Sequence, residues 1–293
     1  PFVICGEEHY NNYLSRLLSK LERFKTVSER WDPDPTDDRW TKNRIDNLYA
    51  TMELEGHPLW KDQLVTIIEE HFTSGISRPL KLACKVAELY ENCSAFCARD
   101  PGVVFQILQR LDDDKDRSET LYRQNESVHH FICEYTPVGV DARQIPELMD
   151  QLFETLESPH FQQVEKAFLV HFGLQAIQPF SENDGIIGRF WQTLLMEEEY
   201  PLFRFVRVDD LTYKYRSDYQ QCLFKSVEKK DPTEFITFML KITDAAVKEF
   251  VVPQRALRGA LERIRYVHKH DLHEFSRKDY MNILEHISAP TAS

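Results

Sequence analysis

Apolar residues recur every three or four positions along almost the whole chain, the period of one face of an α-helix. Leu14, Leu17, Leu18, Leu21 and Phe24 space as an amphipathic helix ending near Trp31, because the prolines of "WDPDPTDD" cannot continue it. A second helix is expected over 41–55, with Ile45, Leu48 and Met52 on one face and Gly56 as its stop. "KDQLVTIIEEHF", "RPLKLACKVAELYENCSAF" and "PGVVFQILQRL" read as a third, fourth and fifth. Beyond the acidic run 112–119, read as a solvated loop, the period changes. Val128, His130, Ile132 and Glu134 alternate with His129, Phe131, Cys133 and Tyr135, so a short β-hairpin turning at 136–139 is expected. Helix returns over 145–157 and 159–178, where Pro159 suits a first turn and Phe161, Val164, Phe168 and Phe172 form an apolar stripe. Helices over 185–198, 213–227 and 232–250 complete an all-α body without an internal repeat.

With 293 residues, 42% of them hydrophobic, the chain can bury a sizeable core. The net charge of −12 is unevenly spread. Residues 250–293 carry seven Lys and Arg against five Asp and Glu, a balance of +2, which leaves −14 on residues 1–249. An acidic body opposes binding to phosphate backbones, so DNA is expected to bind only weakly and only through the C-terminal unit. No apolar run approaches the ~18 residues of a membrane span, and no basic segment followed by an apolar one opens the chain. A cytoplasmic location with no membrane partner is expected. The six cysteines, at 5, 84, 93, 97, 133 and 222, include no C-x-x-C pair and read as reduced, mostly buried thiols rather than a zinc site.

The stretch "AIQPFSENDGIIGRFWQTLLM", 176–196, places a polar loop before an apolar helix. A helix N-terminus presents unpaired N–H groups and partial positive charge, and Asn183, Asp184 and Gly185 stand at that mouth. Arg189, one turn further on, can reach back to the same space with a forked donor. Glu182 could hold Mg²⁺ against phosphate oxygens. Against this, Asp184 adds negative charge, and no nearby side chain can deprotonate a hydroxyl at neutral pH. Gln178 can orient a group but cannot take its proton. Residue chemistry leaves both a nucleotide site and a self-capped polar loop open.

Glu55 is an independent clue. A carboxylate in the last helical turn meets the negative end of the dipole, at a cost of ~0.3–1 kcal/mol unless a cation lies opposite. Thr51, one turn earlier, shares its face.

These residues resemble the Fic (Fido-fold) family. "TMELEG", 51–56, resembles the family's inhibitory-helix motif [ST]-x-x-x-E-[GN], and "HFGLQAIQPFSENDGIIGR", 171–189, resembles its H-P-F-x-[DE]-G-N-G-R-x-x-R core with the preceding helix. "EFSRKDYMNILEHISAPTAS" resembles the start of a winged-helix domain. The resemblance implies a Fido-fold helical bundle with one short β-hairpin flap and a partial winged-helix unit. It implies three regions: 1–111 with the inhibitory helix 41–56, a core 112–252 with the flap near 128–140 and the motif loop 178–189, and 253–293. The flap residues His130, Phe131 and Ile132 would meet a target protein.

Family members transfer AMP from ATP, with Mg²⁺, to a hydroxyl of a target protein, and the motif histidine is the base. Here that position is Gln178. Pro179 and Phe180 keep the motif, and Glu182 keeps the metal-binding acid. Asn183, Asp184 and Gly185 replace the Gly-Asn-Gly cradle, Ile186 replaces the first arginine, and Arg189 keeps the second. Arg189 is expected to pair with Glu55, which with Thr51 and Gly56 would form the inhibitory apparatus. His171, two turns before Gln178, is expected to pack within its helix. The expectation is a degenerate Fic protein without AMP transfer, retained to bind an unidentified target protein, a nucleotide or both. The alternative is a weak or repurposed adenylyltransferase using ATP and Mg²⁺, restrained by Glu55.

Overall fold

The structure is a computed structural model and describes residues 8–28, 38–70, 77–112, 122–125, 139–206 and 208–256. Among these residues the elements are helical, with no strand. The expected hairpin at 128–135, the acidic run beyond Asp112 and the tail after Ala256 lie outside them.

α1 (Glu8–Ser28), α2 (Asp38–Leu54), α3 (Lys61–Glu70), α4 (Arg78–Glu91) and α5 (Val103–Leu111) form the N-terminal region. α6 (Ile145–Glu157), α7 (Gln163–Ile177), α8 (Asp184–Glu199), α9 (Val208–Lys214), α10 (Arg216–Lys229) and α11 (Thr233–Ala256) follow. Two compact units divide the chain, Pro1–Ala246 and Val247–Ser293.

α7 and α8 are the centre of the first unit. Gln163 Nε2 reaches Leu195 O at 3.2 Å and His171 Nδ1 reaches Gln192 Oε1 at 2.8 Å, so the two helices run antiparallel. α7 is buried on nearly every side, from Val164 to Leu174. The stripe expected there is therefore only part of its apolar surface, as suits a helix surrounded by others. Phe161 lies before the helix and is half-buried.

Three boundaries differ from the periodicity. Pro159 lies in a turn, and α7 starts at Gln163, where the Gln162 and Glu165 side chains form a capping box around the first turn. The fourth helix stops at Glu91, and Cys93–Ala95 tightens into a 3₁₀ turn, since Asn92 takes a non-helical ψ of 30°. The helix expected over 213–227 is two, broken at Tyr215.

α2 lies across the body. Tyr49 meets Tyr213 of α9 edge to face at 5.6 Å, and Tyr213 Oη donates to Glu53 at 3.3 Å. α1 is tied down by Lys25 to Glu199 at 2.6 Å, Lys20 to Asp244, and Tyr200 Oη to Glu22 at 3.1 Å. Of the cysteines, Cys84 and Cys93 are buried free thiols, while Cys97 is exposed and Cys222 half-buried. Cys97 therefore departs from the expectation of burial: it follows the 3₁₀ turn, outside the packed face of α4.

Candidate functional site

The loop between α7 and α8 is short and tightly held. Gln178 ends α7 in the left-handed region, at φ 52° and ψ 65°, and Asn183 precedes α8 at φ 69°. Asparagine tolerates this conformation; glutamine does so at a cost of about 1–3 kcal/mol, which the surroundings must impose. The imposing group is Arg123, a buried side chain that the sequence pattern did not single out. Its Nε donates to Gln178 O at 2.6 Å, Nη1 to Asn125 O at 2.7 Å, and Nη2 to Val140 O. Its backbone N donates to Pro179 O at 2.9 Å. Burial lowers the Arg123 pKa, with Asp184 and Asp141 opposing that shift. A lone arginine in a polar stretch carries no periodicity, so only folding reveals this clamp.

Gln178 itself is 2% exposed. A Cβ at Gly139 would lie 2.6 Å from Gln178 Oε1, so the backbone at 139–140 closes directly over the carboxamide. Proton abstraction is beyond this group. His171 is fully buried, with Nδ1–H donated to Gln192 Oε1 and Nε2 accepting from Tyr219 Oη at 3.0 Å. Burial, and then Arg189, depress its pKa to about 3. It is a neutral packing histidine, as expected.

Thr51, Glu55, Gly185 and Arg189 come together at the N-terminus of α8. Arg189 is buried, and its Nε donates to Thr51 Oγ1 at 2.7 Å and its Nη2 to Thr51 O at 3.0 Å. The same Nη2 pairs with Glu55 Oε2 at 3.0 Å, while Gly185 N donates to Glu55 Oε1 at 3.3 Å. Burial opposes the Arg189 charge, but Glu55, Tyr219 and Asp209 outweigh it and raise its pKa. The expected Glu55–Arg189 pair is thus present, and the carboxylate has the cation its helix end required. Gly56, at φ 78°, turns the chain away just after it. A Cβ at Gly185 would lie 2.3 Å from Glu55 Oε2, so glycine there leaves the space the carboxylate fills.

Asp184 and Phe180 lie beneath. Phe180 N donates to Asp184 Oδ1 at 3.0 Å, and the Phe180 ring packs edge-on to Phe105 at 6.3 Å and beside Tyr122 at 6.1 Å. Asp184 is 1% exposed, and its Oδ2 has no hydrogen-bond partner among the described residues. Burial first, and Glu55 also, push its pKa well above the usual carboxylate range. Glu182 points elsewhere: it is exposed and pairs with Arg78 at 2.6 Å. Ile186, where the resemblance expects an arginine, is buried core.

These residues do not suit a magnesium nucleoside triphosphate. The helix N-terminus and Arg189 already hold a carboxylate, and Glu182 is turned out to Arg78. His130, Phe131 and Ile132 lie outside those residues, as does the basic tail.

No protein-family profile matches the chain, and no curated protein does. Solved structures do. The chain is similar over 99% of its length to 87% of a Fic family protein from Desulfovibrio desulfuricans G20, with a TM-score of 0.71 and 23% identity. It is similar over 83% of its length to 73% of a Fic-1 fragment from C. elegans, at TM-score 0.62 and 16% identity. A Fic domain containing signaling protein from Bacteroides thetaiotaomicron matches 80% of the chain over 97% of its own length, at TM-score 0.56 and 17% identity. The class is therefore set by architecture: this chain has the helical Fic (Fido) fold.

Proposed function

We propose that this chain is a Fic-fold pseudoenzyme, without AMP transfer and retained for binding a protein partner. One observation carries the reading: Gln178, a carboxamide at the position where the resemblance expects the base, is 2% exposed beneath the backbone at Gly139. Loss of a general base costs about 10²–10⁴-fold in rate. Glu55 on the anion site works against ATP with Mg²⁺ as ligand. The partner is a protein segment, and the location is the cytoplasm. No helix among the described residues is long and apolar enough to cross a membrane.

The test is mass spectrometry of the wild-type chain and of Glu55→Gly after incubation with ATP and Mg²⁺. No AMP adduct is expected on either, and an adduct on the variant would overturn the reading.

A second reading is favoured by the intact Glu55–Arg189 pair: a slow adenylyltransferase restrained by Glu55. Calorimetric titration of Glu55→Gly with ATP and Mg²⁺ separates the two, since saturable binding supports the enzyme and its absence counts against it.

A further inference from the structure

The seam between α2 and α8 is closed at one end and open at the other. Arg189, Thr193 and Glu197 lie one turn apart along a single face of α8. Thr51, Leu48 and Arg44 follow one another along α2 in the opposite direction. At Thr51 the two helices touch through Arg189. Towards Arg44 and Glu197 they part around a cavity of about 360 Å³, also lined by α3, by α4 and by the 3₁₀ turn at Pro201–Arg204. That volume falls within the range of about 300–1,000 Å³ typical of small-molecule sites.

The lining has one specific polar demand. Leu48, Ile68, Tyr90, Phe203 and Phe205 supply a mainly apolar, partly aromatic wall. Two ion pairs belong to it, Arg44 with Glu91 and Arg204 with Glu197 at 3.5 Å, so the charges on those four side chains cancel. Glu197 gives Oε1 to Arg204, while its buried Oε2 meets no N–H or O–H donor among the described residues. The Cys93 thiol is a donor within reach of this carboxylate, but a weak one that is shared with the carbonyls of Leu89 at 3.8 Å and Tyr90 at 3.2 Å. A buried carboxylate oxygen calls for an N–H or O–H donor, and a partly aromatic apolar wall beside it suits a ring.

We propose that this cavity binds a small planar aromatic amine or amidine, its N–H donated to Glu197 Oε2 and its ring set against Leu48, Tyr90 and Phe203. A ring presents more surface to Leu48, Tyr90 and Phe203 than a flexible aliphatic amine does. The amide side chains of Asn43 and Asn47 also line the site. Among the described residues Asn43 donates one long bond to Phe205 O at 3.5 Å and Asn47 accepts one from Asp210 N at 3.4 Å, and their amides can also meet ring heteroatoms.

The test is calorimetric titration of the whole chain with 2-aminobenzimidazole, and with benzimidazole, which lacks the amino group. Saturable binding with a dissociation constant below about 1 mM is expected for the amine, and at least tenfold weaker binding for benzimidazole. Glu197→Gln removes the charge-assisted bond, and Ala87→Leu fills the cavity from α4; each is expected to weaken the amine at least tenfold. Circular dichroism confirms that the variants remain helical. No saturable binding to the wild-type chain up to about 10 mM would overturn the proposal and leave a merely hydrated cavity. So would equal affinity in either folded variant.

Discussion

Arg189 shows how much one side chain can hold. Its guanidinium is buried and joins Thr51 and Glu55 of the N-terminal helix region to α8. Arg189→Ala would leave Glu55 Oε2 without its guanidinium partner and take one donor each from the Thr51 carbonyl and hydroxyl. Because removing one partner of a buried pair costs about 3–5 kcal/mol, a loss of that order is expected in urea denaturation. Glu55→Gln should cost less, about 1–3 kcal/mol, and the double variant should show non-additivity of about 0.5–3 kcal/mol, as residues in one network do. Asp184 yields a pH prediction. Its folded pKa is raised by burial and by Glu55, so the folded state holds this proton more tightly than the unfolded chain does. The stability it contributes is fully present below the ordinary value of about 4 and is lost as pH rises towards the folded pKa. Asp184→Asn should remove that loss, so the difference in thermal midpoint, variant minus wild type, grows from pH 4 upwards. A difference that stays constant between pH 4 and 8 would refute it. Glu55, Thr51 and Arg189 were readable in the sequence because motif spacing places them. Arg123 was not, since its role depends on carbonyls from three separate segments.

At the scale of elements, the end of α2 sets Glu55 against the N-terminus of α8, and Gly185 leaves the room that the carboxylate fills. Gly185→Ala places a Cβ 2.3 Å from Glu55 Oε2, and the far end of that side chain must move. Alanine favours helix by about 1 kcal/mol over glycine, so α8 itself should persist. The expected result is faster amide hydrogen exchange at 51–57 with exchange in α8 unchanged. Equal protection of both regions in variant and wild type would show that Glu55 does not help to seat α2. The helices were legible because their apolar stripes repeat at helical spacing, and α6 matches its expected limits of 145–157. The misjudged limits lie where local geometry outranks periodicity. Tyr215 breaks one apparent helix into α9 and α10, and the Gln162–Glu165 capping box starts α7 four residues beyond Pro159.

For the whole molecule, charge sets the partners it can hold. With a net charge of −12, the chain is expected to bind non-specific duplex DNA more weakly than about 10⁻⁴ M at physiological salt, measured by fluorescence anisotropy. Tighter, salt-sensitive binding would mean that the +2 of residues 250–293 outweighs the acidic body. The all-α class followed from periodicity, and the carboxamide at Gln178 is read directly from one motif position; both are local properties that a linear reading can reach. What only the tertiary structure decided is which groups share space. It set the Glu55 carboxylate on the N-terminus of α8, closed Gly139 over Gln178, turned Glu182 out towards Arg78, and parted α2 from α8 around the Glu197 cavity. The reason is physical: hydrophobic period fixes which face of a helix is buried, whereas the neighbours of a polar group depend on how distant helices pack, and no local pattern encodes that.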